Sequence, residues 1–249
     1  MTVSSRTLKA LGATNLANCK DSLIFDGDGI FQPTATTAAL LQVIAPLLNK
    51  KTKMLDLGCG WGIIGLETKL ANFANVELSM SDFSEPAVCA AKQNARNLKI
   101  ESDIRGGSVF EPWSDSSFDL IVSDISGISN KLPFLDKWFA GIPCESGEDG
   151  LKLVTEAIEN APRHFSNFES KLIMPIISLS NVNRASILMN DHFRSVKKVV
   201  RRNWNIEIDD KDTEDKMEEL KEKKHVDFTK SEKTYSFYTD VYQLSQPRI

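Results

Sequence analysis

The chain has 249 residues, 41% hydrophobic and 26% charged, and its 30 Lys and Arg against 34 Asp and Glu give a net charge of −4 and a pI near 5.5. This composition excludes a disordered or fibrous protein. It also supplies no general electrostatic pull toward a phosphate backbone, so nucleic acid is read as a disfavoured partner.

No apolar run approaches the roughly 18 to 20 residues that span a bilayer, and the first residues lack the apolar core of a secretory signal, so the expected location is the cytoplasm. Cys19, Cys59, Cys89 and Cys144 stand far apart, and His164, His192 and His225 are scattered, so no metal site is expected.

Residues 1 to 30 show weak periodicity and end in the turn-rich DGDGIF, which predicts a lead-in segment before one domain over 31 to 249. TATTAALLQVIAPLLNK (34 to 50) carries helical spacing that Pro33 or Thr34 starts. A strand over 53 to 58, a helix over 61 to 72 and a strand over 76 to 82 follow, then a helix over 84 to 99 with Ser84 as N-cap. Strands are predicted over 103 to 109 and 118 to 124, a helix over 147 to 165, and a buried strand over 171 to 180 in which Pro175 implies an edge or a bulge. Strands separated by helices of 10 to 18 residues imply parallel βαβ units. Beyond a helix near 182 to 192, two β-rich runs read as an antiparallel hairpin closing the sheet edge, and the charged stretch between them (209 to 233) as a solvated loop or short exposed helix. In KKVVRRNWN (197 to 205) a strand would divide the basic residues between two faces, which favours a solvated edge over a nucleic-acid groove.

The chemistry concentrates in LDLGCGWG (55 to 62), between a strand and a helix. Gly58, Gly60 and Gly62 permit a sharp turn and close ligand approach, and the following helix presents free N–H groups. Cys59 reads as a small side chain that fits this turn rather than as a nucleophile. Asp82, at the end of the next strand and 22 residues after Gly60, either grips both hydroxyls of a ribose or caps the helix that follows. Turn and carboxylate together point to a bound nucleoside.

These residues resemble the class I, Rossmann-like S-adenosylmethionine-dependent methyltransferases, over roughly Phe31 to Ser180 and with the terminal hairpin fitting a seven-stranded sheet. The resemblance implies a three-layer α/β sandwich whose mostly parallel sheet ends in an antiparallel hairpin, with S-adenosylmethionine as cofactor. It places the cofactor's amino-acid part at Asp56, Gly58, Cys59 and Gly60, its ribose at Asp82, and its adenine against Phe83 and at Ser108 and Val109. GIFQPTATTAALL resembles the segment before the first strand in the methyltransferase small-domain enzymes, which puts Thr37 at the cofactor. GEDGLKLVTEAIENAP resembles a helix of the release-factor glutamine group.

In many of those enzymes the fourth strand ends in Asn-Pro-Pro-Tyr or Asp-Pro-Pro-Tyr, whereas this chain reads Asp-Ile-Ser-Gly from Asp124. The acceptor atom at the key position is kept and the prolines and aromatic are not. Asp124 therefore orients the methyl acceptor or takes its proton, or it contacts the cofactor or caps a helix. Ser126, Ser129 and Trp138 are expected to line the acceptor's side, with Trp113 and Phe139 in the same loops. The expected function is methyl transfer to a small molecule or protein side chain. Methylation of a ribosomal or transfer RNA base is the first alternative, and a non-catalytic cofactor-binding partner protein the second.

Overall fold

The computed structural model describes residues 5–24, 29–48, 51–72, 75–134, 139, 142 and 144–248. Five parallel strands, β1 (Thr52–Leu57), β2 (Val76–Asp82), β3 (Asp103–Gly106), β4 (Leu120–Ser123) and β5 (Lys171–Ile177), are joined by β6 (Phe193–Glu207), β7 (Thr229–Ser231) and β8 (Thr234–Pro247). The sheet order is β3-β2-β1-β4-β5-β8-β6, with β8 antiparallel to β5 and β6 and with β7 on β8. The sheet thus has eight strands rather than seven.

The chain lays β2 and β3 on one side of β1 and β4 and β5 on the other. In an open α/β sheet that reversal leaves a crevice at the carboxyl ends of β1 and β4.

One face of the sheet, with Met54, Met80, Leu120 and Val122, packs against α1 (Ser5–Ala10), α2 (Thr14–Asn18), α3 (Ala35–Ile44), α4 (Ile63–Ala71) and α5 (Glu85–Asn97). The other, with Leu55, Leu57, Ile121 and Leu172, packs against α6 (Lys152–Asn160) and α7 (Val182–His192). The lead-in segment belongs to the first layer: Leu8 and Leu16 are fully buried, and the buried Glu67 carboxylate accepts the Asn15 and Leu16 N–H groups. Thr34 starts α3 through a reciprocal side-chain and backbone bond with Thr37.

Several expected elements differ. β3 stops at Gly106, because Gly107 and Val109 both take positive φ, 147° and 42°. The helix foreseen over 147 to 165 is shorter at its start. Gly147 and Gly150 lie in the left-handed region at 81° and 75°, and α6 begins at Lys152. β5 is an interior strand in unbroken register with β8, so Pro175 marks neither edge nor bulge. The β4–β5 ladder ends at Ile173, two residues before it, and there the missing N–H takes no bond from that ladder. Ser84 precedes α5 without capping it, since its hydroxyl donates to the Gly29 carbonyl at 2.5 Å.

The charged stretch takes the second of its two expected forms, a short helix with most of its residues turned outward, but that helix is also seated in a core. It forms α8 (Lys211–Glu222), started by Asp210 accepting from the Thr213 N–H. Met217 and Leu220, three apart on one face, are buried in a third core with Ile208, Phe228, Tyr235 and Phe237. α8 and β7 therefore stand between the two long strands of the predicted hairpin. In β6 the basic residues do divide: Arg201 forms two bonds of 2.6 Å to buried Asp240, while Arg202 reaches Gln42 on α3.

Candidate functional site

At the end of β1 the chain turns through Gly58 and Gly60, at φ 77° and 55°, into Gly62 at 96°, which opens α4. The Gly58 and Cys59 N–H groups donate to the Ser81 carbonyl at 2.9 Å, and the Gly60 N–H to Asp82 Oδ2 at 2.8 Å. The turn is therefore strapped to the end of β2. The two glycines serve different ends. A Cβ at Gly58 would lie 3.0 Å from Ile125, whereas one at Gly60 would meet only the Phe31 carbonyl oxygen at 3.8 Å. Gly60 leaves the cleft wall open, and Gly58 admits the β4 loop.

A cavity of about 1000 Å³ runs along this edge. Its first part is lined by Gly58, Cys59, Gly60, Asp82, Phe83, Ser108 and Val109, its middle by Thr37, Asp124 and Ser126, and its far part by Ile177, Leu179 and Trp204. Phe83 is 66% exposed beside Asp82, a large apolar ring presented at the cavity's rim. Such a volume is at the top of the range for small-molecule sites.

Three carboxylates sit at or behind the turn. Asp56, fully buried, accepts the Gly65 N–H at 2.8 Å, and its other oxygen has no hydrogen-bond partner among the described residues. Burial pushes it up to about 7 against the help of the Gly65 N–H, and the nearby Asp124 and Asp82 charges push the same way. Burial likewise raises Asp124 to about 6, opposed by the Thr37 hydroxyl that donates to it at 3.1 Å. Asp82 is raised by burial while the N–H groups of Ser84, Gly60 and Phe83 resist. A positively charged ligand in the cavity would relieve all three.

Burial also raises the Cys59 thiol well above its ordinary value, so it stays protonated and packs in the turn.

The residues singled out in the sequence divide as follows. Asp56 stands behind the turn, and Thr37, Gly58, Cys59, Gly60, Asp82, Phe83, Ser108, Val109, Asp124 and Ser126 all face the one cavity. Ser126 is held by Ser146 Oγ at 2.7 Å and Cys144 Sγ at 2.9 Å. Ser129 is not at the cavity. It is fully buried, donates to the Glu148 carbonyl and accepts the Lys131 N–H, so it pins the loop after β4. Trp113 is buried on the second core with its N–H on Ser81 Oγ, away from the cavity. Trp138 lies outside the described residues. Sequence reading missed Ile177, Leu179 and Trp204 as cavity walls; Trp204 had a signal only as the aromatic within a basic run.

The sheet order, the reversal at β1 and β4 and the glycine turn strapped to an acidic residue define the Rossmann-like fold of the class I methyltransferases. Residues 28–124 match the family model described as the methyltransferase small domain, which bears out the resemblance read from the sequence. Among curated proteins, the chain is 28% identical over 148 residues to ribosomal RNA small subunit methyltransferase C of Haemophilus influenzae (strain 86-028NP), covering 59% of this chain and 39% of that protein. The chain thus spans about two fifths of the length of that relative. Among solved structures it is similar to the ribosomal protein L11 methylase of Lactobacillus delbrueckii subsp. bulgaricus, with TM-score 0.50, 16% identity and coverage of 84% and 79%. It is also similar to the T. thermophilus 16S rRNA N2 G1207 methyltransferase in complex with AdoMet and guanosine, with TM-score 0.50, 12% identity and coverage of 84% and 43%. At these identities the structural likeness speaks for the fold.

The expectation that nucleic acid is disfavoured is overturned by the curated relatives, whose name makes them ribosomal RNA methyltransferases. The formal charge of −4 misled because net charge describes the whole chain and not the surface that a partner meets. Among the described residues, no helix is long and apolar enough to cross a membrane.

Proposed function

We propose that this chain is an S-adenosylmethionine-dependent methyltransferase whose acceptor is a base in RNA, in place of the small-molecule or protein acceptor first expected. The observation that carries the reading is the shared cavity onto which the bare Gly60 backbone, Asp82 and Asp124 all face, with an Asp56 oxygen behind it that has no hydrogen-bond partner among the described residues. Those features fit a nucleoside with a cationic tail: Asp82 for the ribose, exposed Phe83 for the adenine, and the Gly58 to Gly60 turn for the charged amino-acid part, beside carboxylates that gain from a positive charge. When bound, the cofactor supplies a methyl group already activated on a sulfonium.

The chain's own task is then positioning, which contributes up to roughly 7 to 11 kcal/mol to such a transfer. Asp124 has one oxygen on the Thr37 hydroxyl and lies on the cavity, so its ionised form orients an acceptor N–H and receives the proton as the methyl arrives. The match to the small domain supports methyl transfer and the relatives' naming supports RNA as acceptor, and on this reading the chain works in the cytoplasm.

The test is incubation with cofactor carrying a labelled methyl group and lysate separated into RNA, protein and small-molecule pools. Label in RNA, lost with Asp124→Ala while calorimetry still detects cofactor binding, is the expected result. Label confined to protein or small molecules removes RNA as acceptor, and no cofactor binding at all removes the methyltransferase reading.

A further inference from the structure

The chain as a whole is negative, yet one strand reverses the sign. β6 carries Arg194, Lys197, Lys198, Arg201 and Arg202 within its 15 residues against one acid, Glu207, whereas the whole chain has 30 basic residues against 34 acidic ones. β6 is also the edge of the sheet, paired with β8 on one side and with no strand on the other among the described residues. Charge on an edge strand guards it against pairing with another chain, but either sign serves that purpose. The excess of one sign needs a further reason.

The division of these cations between two faces was the ground for expecting a solvated edge. In the structure Lys198 and Arg201 stand opposite Tyr242 and Asp240 on one face, and Lys197 and Arg202 opposite Gln243 and Thr239 on the other. On an interior strand the sheet would keep the two rows apart. On an edge strand both rows border the same open rim, which long basic side chains reach from either face. Buried Asp240 offsets part of the charge, since Arg201 bonds it twice at 2.6 Å and Lys198 lies 3.6 Å from it. The Arg201 guanidinium is held flat over the Tyr238 ring at 3.8 Å. Arg194 and Lys197 are exposed, and their side chains have no hydrogen-bond or ion-pair partner among the described residues.

This basic run starts at the cavity. Arg202 lies directly across from Thr239, and Thr239 and Asn205 both line the cavity. From Asn205 back to Arg194 the strand covers about 36 Å at ~3.3 Å per residue. Its level along the sheet is also that of Asp124. Two residues beyond the Val122 and Ile173 pair, Asp124 reaches the level of Pro175, which pairs with Val241 and through it with Val200. The cations at 197, 198, 201 and 202 flank that level, three strand spacings or about 14 Å to the side of β4. The cavity itself turns phosphate away, because Asp82, Asp124, Glu145 and Glu156 line it against Lys152. A polyanion that delivers a group to Asp124 must hold its own charges outside.

We propose that β6 is the track for the phosphate backbone of an RNA acceptor, running from Arg202 at the cavity to Arg194, while the base to be methylated enters beside Asp124. This rests on the RNA methyltransferase reading above. Phosphate contacts of this kind fix the position of a strand and carry no sequence information. Discrimination among bases therefore stays with the polar groups of the cavity.

The experiment measures fluorescence anisotropy of a short labelled single-stranded RNA of mixed sequence with the full chain, saturated with the demethylated cofactor, over a potassium chloride series. The test variant joins Arg194→Gln, Lys197→Gln and Lys198→Gln; Arg201 is kept, because its loss would leave Asp240 buried and unpaired. A control of equal charge joins Lys92→Gln, Arg96→Gln and Lys99→Gln, exposed residues in and just after α5, which packs on β2 and β3 toward the opposite edge. Each cation that neutralises a phosphate contributes about 0.7 to the slope of log affinity against log salt for a single strand, so the test variant should lose about 2 from that slope. Its RNA affinity near 0.1 M salt should fall by about tenfold or more. The control should keep the native slope, and both variants should keep the native melting temperature and cofactor affinity.

A native slope in the test variant, or an equal loss in the control, overturns the proposal. So does poly-glutamate competing as well as unlabelled RNA, which would make an acidic protein the occupant. Calorimetry with the demethylated cofactor separates the two levels of failure: a chain that binds it while RNA ignores β6 loses this proposal alone, and a chain that does not bind it loses the methyltransferase reading.

Discussion

The Gly60 N–H donates to Asp82 Oδ2 at 2.8 Å while Ser84 N–H donates to Asp82 Oδ1 at the same distance, so one carboxylate ties the glycine turn to the start of α5. The two readings of Asp82 from sequence, ribose grip and helix anchor, are therefore compatible in one residue. It organises the turn from which it would also bind.

Replacing it should damage both roles. Asp82→Asn keeps the shape but removes the charge that strengthens both N–H bonds, a loss of about 1.5 to 3 kcal/mol where such bonds are charge-assisted. Calorimetry should show cofactor binding weakened by roughly tenfold or more, with a measurable drop in melting temperature. An unchanged affinity would remove Asp82 from the cofactor site.

The glycines separate stability from binding. At Gly65 a Cβ would stand 2.6 Å from Met80 Sδ and 3.0 Å from Leu78 Cδ1, so Gly65→Ala should cost about 1 to 3 kcal/mol in urea unfolding through overpacking. Gly60→Ala meets no such obstacle and carries only the left-handed backbone cost of about 1 to 2 kcal/mol. Its larger effect should appear in cofactor affinity, where the methyl group intrudes on the open wall. Unchanged cofactor affinity in Gly60→Ala, or a loss of affinity as large in Gly65→Ala, would contradict this division.

Acidity at the cleft sets a pH dependence of definite sign. Asp56 rises to about 7 and Asp124 to about 6 in the folded chain, from an ordinary 3.8. Between those values the unfolded chain has already released protons that the folded chain still holds, so their contribution to stability is present below pH 3.8 and is lost as pH rises to about 6 and 7. A cationic ligand favours the ionised carboxylates and therefore binds more tightly over the same rise. Cofactor affinity should increase from about pH 5.5 to about pH 8 with release of protons, and Asp124→Asn should flatten part of that slope. A flat profile in the native chain would refute it.

The charged segment is a load on the fold, not a decoration. Leu220 is 1% exposed on α8 within the third core, and Leu220→Ala should destabilise the chain by about 2 to 5 kcal/mol. Hydrogen exchange should show faster opening of α8 and β7 together. A melting temperature equal to that of the native chain would restore the reading of this stretch as a wholly solvated element.

What could be read directly from the sequence was whatever local rules dictate. The glycine spacing at 58, 60 and 62, the acidic residue closing β2, the Thr34 start of α3 and the alternation of strands and helices follow from backbone sterics and hydrophobic period, and each stands in the structure. The charged stretch was foreseen as a loop or a short exposed helix, and its buried side was hidden for a physical reason. In α8 two apolar residues suffice to seat a helix when a neighbouring sheet extension offers a surface, and twelve residues rich in both signs of charge hide so sparse a stripe.

The sequence alone determined the fold class and the glycine turn beside Asp82, since the alternation of strands with helices and the placement of glycines are local patterns. Only the tertiary structure decided that Ser129 pins a loop, that Pro175 lies inside the sheet and that Trp204, about 80 residues from Asp124, shares its cavity. Those outcomes depend on strand order. β8 inserts between β5 and β6, and no local pattern along the chain encodes which edge a late strand will occupy.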